Sequence, residues 1–142
     1  MDGINWRRVV LGGLAAGLIV NLSEFIVSGI LLCEDWEKAM LALNRPLLSS
    51  TVEVASLLAW GMLMGFSVVA LYAHVIDRYG QGWKTAGLVG MAVWVVGFLS
   101  GAMTGAAMNI FPVSLAVNMA LAGLIEIEAA SMAGGAIYRP KR

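Results

Sequence analysis

Residues 9–32 read VVLGGLAAGLIVNLSEFIVSGILL, and this stretch decides the fold. It is apolar and exceeds the roughly 20 residues that a helix needs to cross a bilayer. Asn21 lies near its midpoint, and Glu24 follows about one turn later. A carboxylate at that depth is costly in lipid, so it is expected to face protein or a water-filled cavity. Helical spacing puts small and polar residues on one stripe of this helix: Gly13, Gly17, Asn21, Glu24 and Ser28.

The composition of the whole chain is that of a membrane protein. Of its 142 residues, 60% are hydrophobic and only 13% are charged, and the mean hydropathy is +0.84. These values predict the lipid bilayer as the surrounding medium. The net charge is zero and no basic patch occurs away from the termini and loops, so no nucleic-acid partner is expected. A single cysteine, Cys33, excludes an internal disulfide.

Four spanning helices are predicted within one domain of residues 1–142. They cover about 6–32, 51–76, 83–110 and 112–138. Between the first two, a polar segment at about 34–44 carries apolar residues at helical spacing and predicts an amphipathic helix on the membrane surface. Ser50 and Glu53 form a capping box that begins the second span. The fold class is therefore an all-α, integral membrane four-helix bundle.

The basic residues predict the orientation of this bundle. Only Lys38 and Arg45 fall in the first loop. Because cytoplasmic loops are enriched in Lys and Arg, both termini are expected in the cytoplasm. The other seven basic residues lie at the termini or around the second loop: Arg7, Arg8, Arg78, Lys84, Arg139, Lys141 and Arg142.

The third predicted span carries a stripe of glycines that indicates close helix packing. Its Gly-x3-Gly-x3-Gly series, 97 to 105, is a doubled small-x3-small motif. A contact inside the bundle is favoured over a homodimer seam, and Gly101→Leu is expected to disrupt the bundle. The stripe consists of Gly87, Gly90, Trp94, Gly97, Gly101 and Gly105.

The fourth predicted span carries a second polar cluster: Asn118, Glu126 and Glu128. Two residues' separation puts the two carboxylates about 200° apart on a helix. Glu126 shares a face with small residues and is expected to point into the bundle. Glu128 would then point to another subunit, a cavity or a lipid-facing defect.

Depth in the membrane predicts which polar groups of the first and fourth spans meet. With about 1.5 Å of rise per residue, Asn21 and Glu126 lie at one level, and Ser28 and Asn118 lie roughly 10 Å further out. Glu24 falls between these levels. The sequence thus predicts a buried ladder in which Asn21 pairs with Glu126 and Ser28 with Asn118. Two carboxyls this close in a low dielectric do not both ionise readily, so at least one is expected to be protonated at neutral pH.

No enzyme motif, cofactor site or metal site is predicted. The chain has no P-loop and no nucleophile–base pair, so no catalytic residue is assigned. With one histidine, His74, a bis-histidine haem within one chain is impossible. The nine methionines are scattered and indicate packing rather than binding of a soft metal.

Two resemblances bear on the family. Four helices with Glu24 in the first resemble the architecture of the small multidrug resistance transporters. The segments WRRVVLGGLAAGLIVNLSEF and LAGLIEIE are similar to a group of small four-helix bacterial membrane proteins of unknown function. That second resemblance covers nearly the whole chain and implies a multi-pass protein of the bacterial inner membrane.

Two functions remain open, and the first is favoured because no entry path or substrate-sized polar site can be drawn from the sequence. In the first, the chain is a non-catalytic helical subunit or interaction partner of a membrane assembly, contacting other membrane subunits or copies of itself. Glu128 and the glycine stripe favour this interpretation. In the second, it is a small proton- or cation-linked transporter, for which the buried carboxylates are the main argument.

Overall fold

The computed structural model describes residues 3–140, in which five helices and no strand occur. Four of them have 25 to 29 residues and are long and apolar enough to cross a membrane. The predicted all-α bundle is thus confirmed, and the protein has the build of a multi-pass membrane protein. The helices are α1 (Trp6–Leu31), α2 (Cys33–Ala42), α3 (Thr51–Tyr79), α4 (Trp83–Ala107) and α5 (Val113–Ile137).

Local signals explain where the helices begin and end. The capping box is present: the Ser50 hydroxyl accepts from the Glu53 N–H, and the Glu53 carboxylate accepts from the Ser50 N–H. Helix α3 runs three residues beyond its predicted end, to Tyr79, and is followed by Gly80, whose φ of 80° suits glycine. Helix α4 ends three residues early, because the chain turns at Asn109 with a φ of 54°.

The bundle has two distinct ends. Helix α1 packs against α3 and α5, and α4 packs against the same two helices. The Asn5 N–H donates to the Tyr138 hydroxyl at 3.4 Å, so the first and last helices meet where the chain begins and ends. We call this the terminal end. The opposite end, which carries α2, is called the α2 end; there Trp36 stacks edge-on against Phe111, with ring centroids 5.4 Å apart.

Helix α3 is tightly packed toward the terminal end and loosely packed at the α2 end. Val68 and Val69 of α3 and Ile127 of α5 are fully buried in the main core. By contrast, every residue of 51–59, the first nine of α3, is exposed within the chain. Helix α3 therefore separates from the others toward the α2 end, while α4 and α5 stay packed there around Ala102, Ala116 and Ala120.

Helix α1 meets α3 through glycines, which places the polar stripe differently from the prediction. A Cβ on Gly65 would overlap the backbone nitrogen of Gly17, and one on Gly61 would lie 2.5 Å from the Asn21 amide oxygen. Gly13 lies against the ring of Phe66. Gly13, Gly17 and Asn21 thus pack on α3 rather than on the last span, because α3 contributes glycines where α1 has its own.

Helix α4 is not a uniform α-helix, and this alters its glycine stripe. Residues Trp94–Leu99 form a π-helical segment, in which each turn contains more residues than an α-turn. Of the two glycines that follow the segment, Gly105 stays buried against Phe111. Gly101 is exposed and a Cβ there would meet nothing within 4 Å, so the expectation that it is a packing residue is wrong for this chain.

Candidate functional site

The most unusual group in the bundle is the carboxyl of Glu126 on α5. Glu126 is only 3% exposed, and its Oε1 has no hydrogen-bond partner among the described residues. Its neighbours on this face of α5 are the buried Gly123 and Ala130. An unpaired buried polar group costs about 1–3 kcal/mol, and more when it is charged. A group that costs stability in this way is a candidate for function.

Glu24 on α1 is the second carboxyl of the site. It accepts a hydrogen bond from the Ser28 hydroxyl at 2.6 Å, and it is only partly buried. Its charge interacts with that of Glu126, so the two carboxyls share one electrostatic environment. Glu24 is therefore the satisfied partner and Glu126 the unsatisfied one.

The predicted ladder between the first and last spans is wrong in its pairs. The Asn21 amide donates to the Gly17 carbonyl at 3.0 Å and to the Leu58 carbonyl of α3 at 3.2 Å, not to Glu126. Ser28 bonds to Glu24 rather than to Asn118. The close approach of α3 at its glycines offers Asn21 a backbone carbonyl, so its amide is used there.

A groove of about 450 Å³ opens between α1 and α5 beside Glu126. Its lining is apolar except for Ser23, Asn118 and Glu126. Asn118 is exposed and makes no hydrogen bond among the described residues. The groove therefore combines an apolar wall with one buried carboxyl and one free amide, which is the general character of a small-molecule site.

Glu128 is partly buried on α5 and lies against α4. A Cβ on Gly90 of α4 would come within 2.9 Å of the Glu128 carboxyl carbon, and one on Gly87 would lie 3.5 Å from its Oε2. The two glycines leave room for the Glu128 side chain, which stays partly exposed. The expectation that it faces another subunit, a cavity or a lipid-facing defect therefore stays a prediction. The remainder of the glycine stripe is also engaged within the chain, apart from Gly101. Gly97 meets Met64, Gly105 meets Phe111, and the Trp94 indole donates to the Ala120 carbonyl at 2.7 Å.

No positive charge is available to neutralise these carboxylates. The bundle segments 9–31, 51–73, 85–107 and 113–137 contain no Lys, Arg or His. Within residues 3–140, no cluster of three or more His, Cys, Asp and Glu side chains could hold a metal ion. The site is thus a pair of carboxyls in apolar surroundings, without a resident counter-charge.

Several positions that shape the site were not predicted from the sequence. Gly61 and Gly65 of α3 bring that helix against α1, and Gly12 of α1 meets the Gly134 carbonyl of α5, where a Cβ would be 2.8 Å away. The Gly61-x3-Gly65 spacing is itself a small-x3-small motif, so a signal for the first pair was present.

Comparison with protein-family models, curated proteins and solved structures found no match. The fold and the composition define the class, an integral membrane protein with four spanning helices. Function has to be argued from the site itself.

Proposed function

We propose that this membrane protein is a small carrier that exchanges a proton, bound at Glu126, for a cation. The observation that carries the proposal is the buried Glu126 carboxyl, whose Oε1 lacks a partner and which borders the α1–α5 groove. A proton or a cation supplies the partner that the protein does not. The carboxyl is neutral when it holds a proton, and it attracts a cation when it is ionised. The proton and the cation therefore compete for the same group.

The surroundings of Glu126 suit such an exchange. Glu24 and its hydrogen-bond donor Ser28 are partly buried on α1 and follow Asn21 toward the α2 end, where α3 is uncovered. They offer a polar step between Glu126 and that end. Toward the terminal end the core of Val69, Ile127 and Ala130 is closed. Access from one end at a time is what a carrier requires.

Two features that favour the subunit interpretation also have contacts within the chain. Glu128 packs on Gly87 and Gly90, and most of the α4 glycines contact residues of the same chain. We prefer the carrier to the subunit because the buried, unpartnered Glu126 carboxyl is the stronger functional signal.

Ion exchange is testable in proteoliposomes that are loaded with acid and a pH-sensitive dye. We expect external Na⁺, K⁺ or tetraethylammonium to make the lumen alkaline with the wild-type protein. Glu126→Gln keeps the shape but cannot titrate, so it is expected to abolish the response. Glu34→Gln is the matched control, because Glu34 is exposed on α2 and pairs only with Lys38.

Two results would count against the carrier. One is the absence of any lumenal pH change with all three cations. The other is a Glu126→Gln protein that is as active as the wild type. The folding of each variant is checked before reconstitution by its elution as a single species in detergent.

A helical subunit of a membrane assembly is the second candidate, and one observation favours it. Residues 51–59 begin a spanning helix yet are all exposed within the chain. A helix of another membrane subunit would cover this apolar surface in place of lipid. Stoichiometric copurification with other chains after mild extraction from native membranes would support this function, whereas a lone homo-oligomer would support the carrier.

A further inference from the structure

A second cavity, of about 510 Å³, lies at the terminal end of the bundle, away from Glu126. It is formed where α4 begins and α5 ends. Its floor is made of the small, buried residues Ala86 and Gly135. A Cβ on Gly135 would lie 3.5 Å from the Ala86 Cβ and 3.4 Å from the ring of Tyr72. No part of the proposed carrier site contributes to it.

The cavity changes in character along its length. On the bundle side its walls are Met132 and Ala136 of α5, both exposed to the surroundings of the helices. At the rim they give way to Gln81 and Arg139, beside the exposed Trp83. An apolar part next to lipid and a polar, cationic rim match an amphipathic ligand.

The charge of the terminal end specifies that ligand further. Lys84 lies over the Trp83 ring, with its Nζ 5.8 Å from the centroid, and so adds a second cation near the rim. The only ion pair within residues 3–140, Lys38–Glu34, is at the other end of the protein. The terminal end is strongly basic, with five cations and one carboxylate among the described residues: Arg7, Arg8, Arg78, Lys84 and Arg139 against Asp77.

We infer that this cavity binds one anionic phospholipid, with its phosphate at Arg139 and an acyl chain along Met132 and Ala136. Basic pockets between spanning helices at a membrane surface bind acidic headgroups. The aromatic Trp83 marks the headgroup level. A zwitterionic lipid would fill the apolar part equally well but would gain less from Arg139.

Native mass spectrometry of the full-length protein in detergent tests the inference. Phosphatidylglycerol and phosphatidylcholine are titrated separately, and we expect the anionic lipid to bind more tightly. Arg139→Gln is expected to weaken phosphatidylglycerol binding about fivefold, which corresponds to one basic residue near a membrane surface. Its matched control, Arg45→Gln at the other end of the protein, is expected to bind as the wild type does.

A second variant tests the apolar part of the cavity. Ala136→Trp fills the cavity from an exposed position and is expected to abolish lipid retention. Val117→Trp, at an exposed position of the same helix that lines neither cavity, is its control. Equal binding of the two lipids, or wild-type binding by both Arg139→Gln and Ala136→Trp, would overturn the inference. So would displacement of the lipid by millimolar inorganic phosphate, since the site would then be one for a free anion.

Discussion

Gly65→Leu is expected to abolish the folded bundle, while Gly101→Leu leaves it intact. At Gly65 any side chain meets the Gly17 backbone, which has no room to move because α1 is held by α5 on its other side. Overpacking of this kind destabilises by about 1–3 kcal/mol for small additions, and a leucine against a backbone exceeds that range. At Gly101 there is open space, and leucine is the better helix former by about 0.5–1 kcal/mol.

Thermal unfolding in detergent, followed by circular dichroism, measures the contrast. The Gly65→Leu protein is expected to aggregate or to melt far below the wild type, and Gly101→Leu to melt at the wild-type temperature or slightly above it. Equal melting temperatures for the two variants would show that α1 and α3 do not approach through Gly65. If only the Gly101→Leu protein fails to fold, Gly101 packs closely against another helix, as the sequence pattern predicts.

Glu126→Met is expected to stabilise the bundle, by about 1–3 kcal/mol, while removing the proposed ion exchange. Methionine has a similar volume and no polar atom to leave unpaired, so the cost of the lone Oε1 disappears. Stabilisation by removal of a functional group is the usual trade-off at active sites. If Glu126 were structural glue, the same change would destabilise the protein.

Asn21→Leu is the control for this second prediction. The Asn21 amide makes two hydrogen bonds, one of them to the Leu58 carbonyl of α3. Its removal is expected to lower stability by about 1–2 kcal/mol, in the direction opposite to Glu126→Met. Melting temperatures of both variants in the same detergent decide the matter. Destabilisation by both changes would indicate that Glu126 is bonded in the membrane-inserted protein.

The spans could be predicted from the sequence because hydropathy and length decide them. The capping box at Ser50 is equally local, and it was found where the two residues predict it. The apolar pattern misplaces the ends of α3 and α4 by three residues each. The reason is that it contains no information on the positive φ angles of Gly80 and Asn109, where the chain turns.

Which helix a given face meets could not be predicted in the same way. Depth in the membrane alone pairs Asn21 with Glu126. Every helix has residues at that depth, so depth does not identify the partner. Its actual partner, the Leu58 carbonyl, depends on the glycines of α3. Glu128 illustrates the same limit, because the two α4 glycines that accommodate it are remote in sequence. The π-helical segment of α4 then moved Gly101 off the packing face, and no residue in Trp94–Leu99 signals that change.

The central claim is that Glu126 binds and releases a proton within the bundle. Difference infrared spectroscopy of the purified protein between pH 5 and pH 9 tests it most directly, because a protonated carboxyl has its own carbonyl band. The account predicts such a band in the wild type and in Glu128→Gln, and its loss in Glu126→Gln. A spectrum in which Glu126→Gln removes no band would contradict the account, since Glu126 would then hold no exchangeable proton over this range.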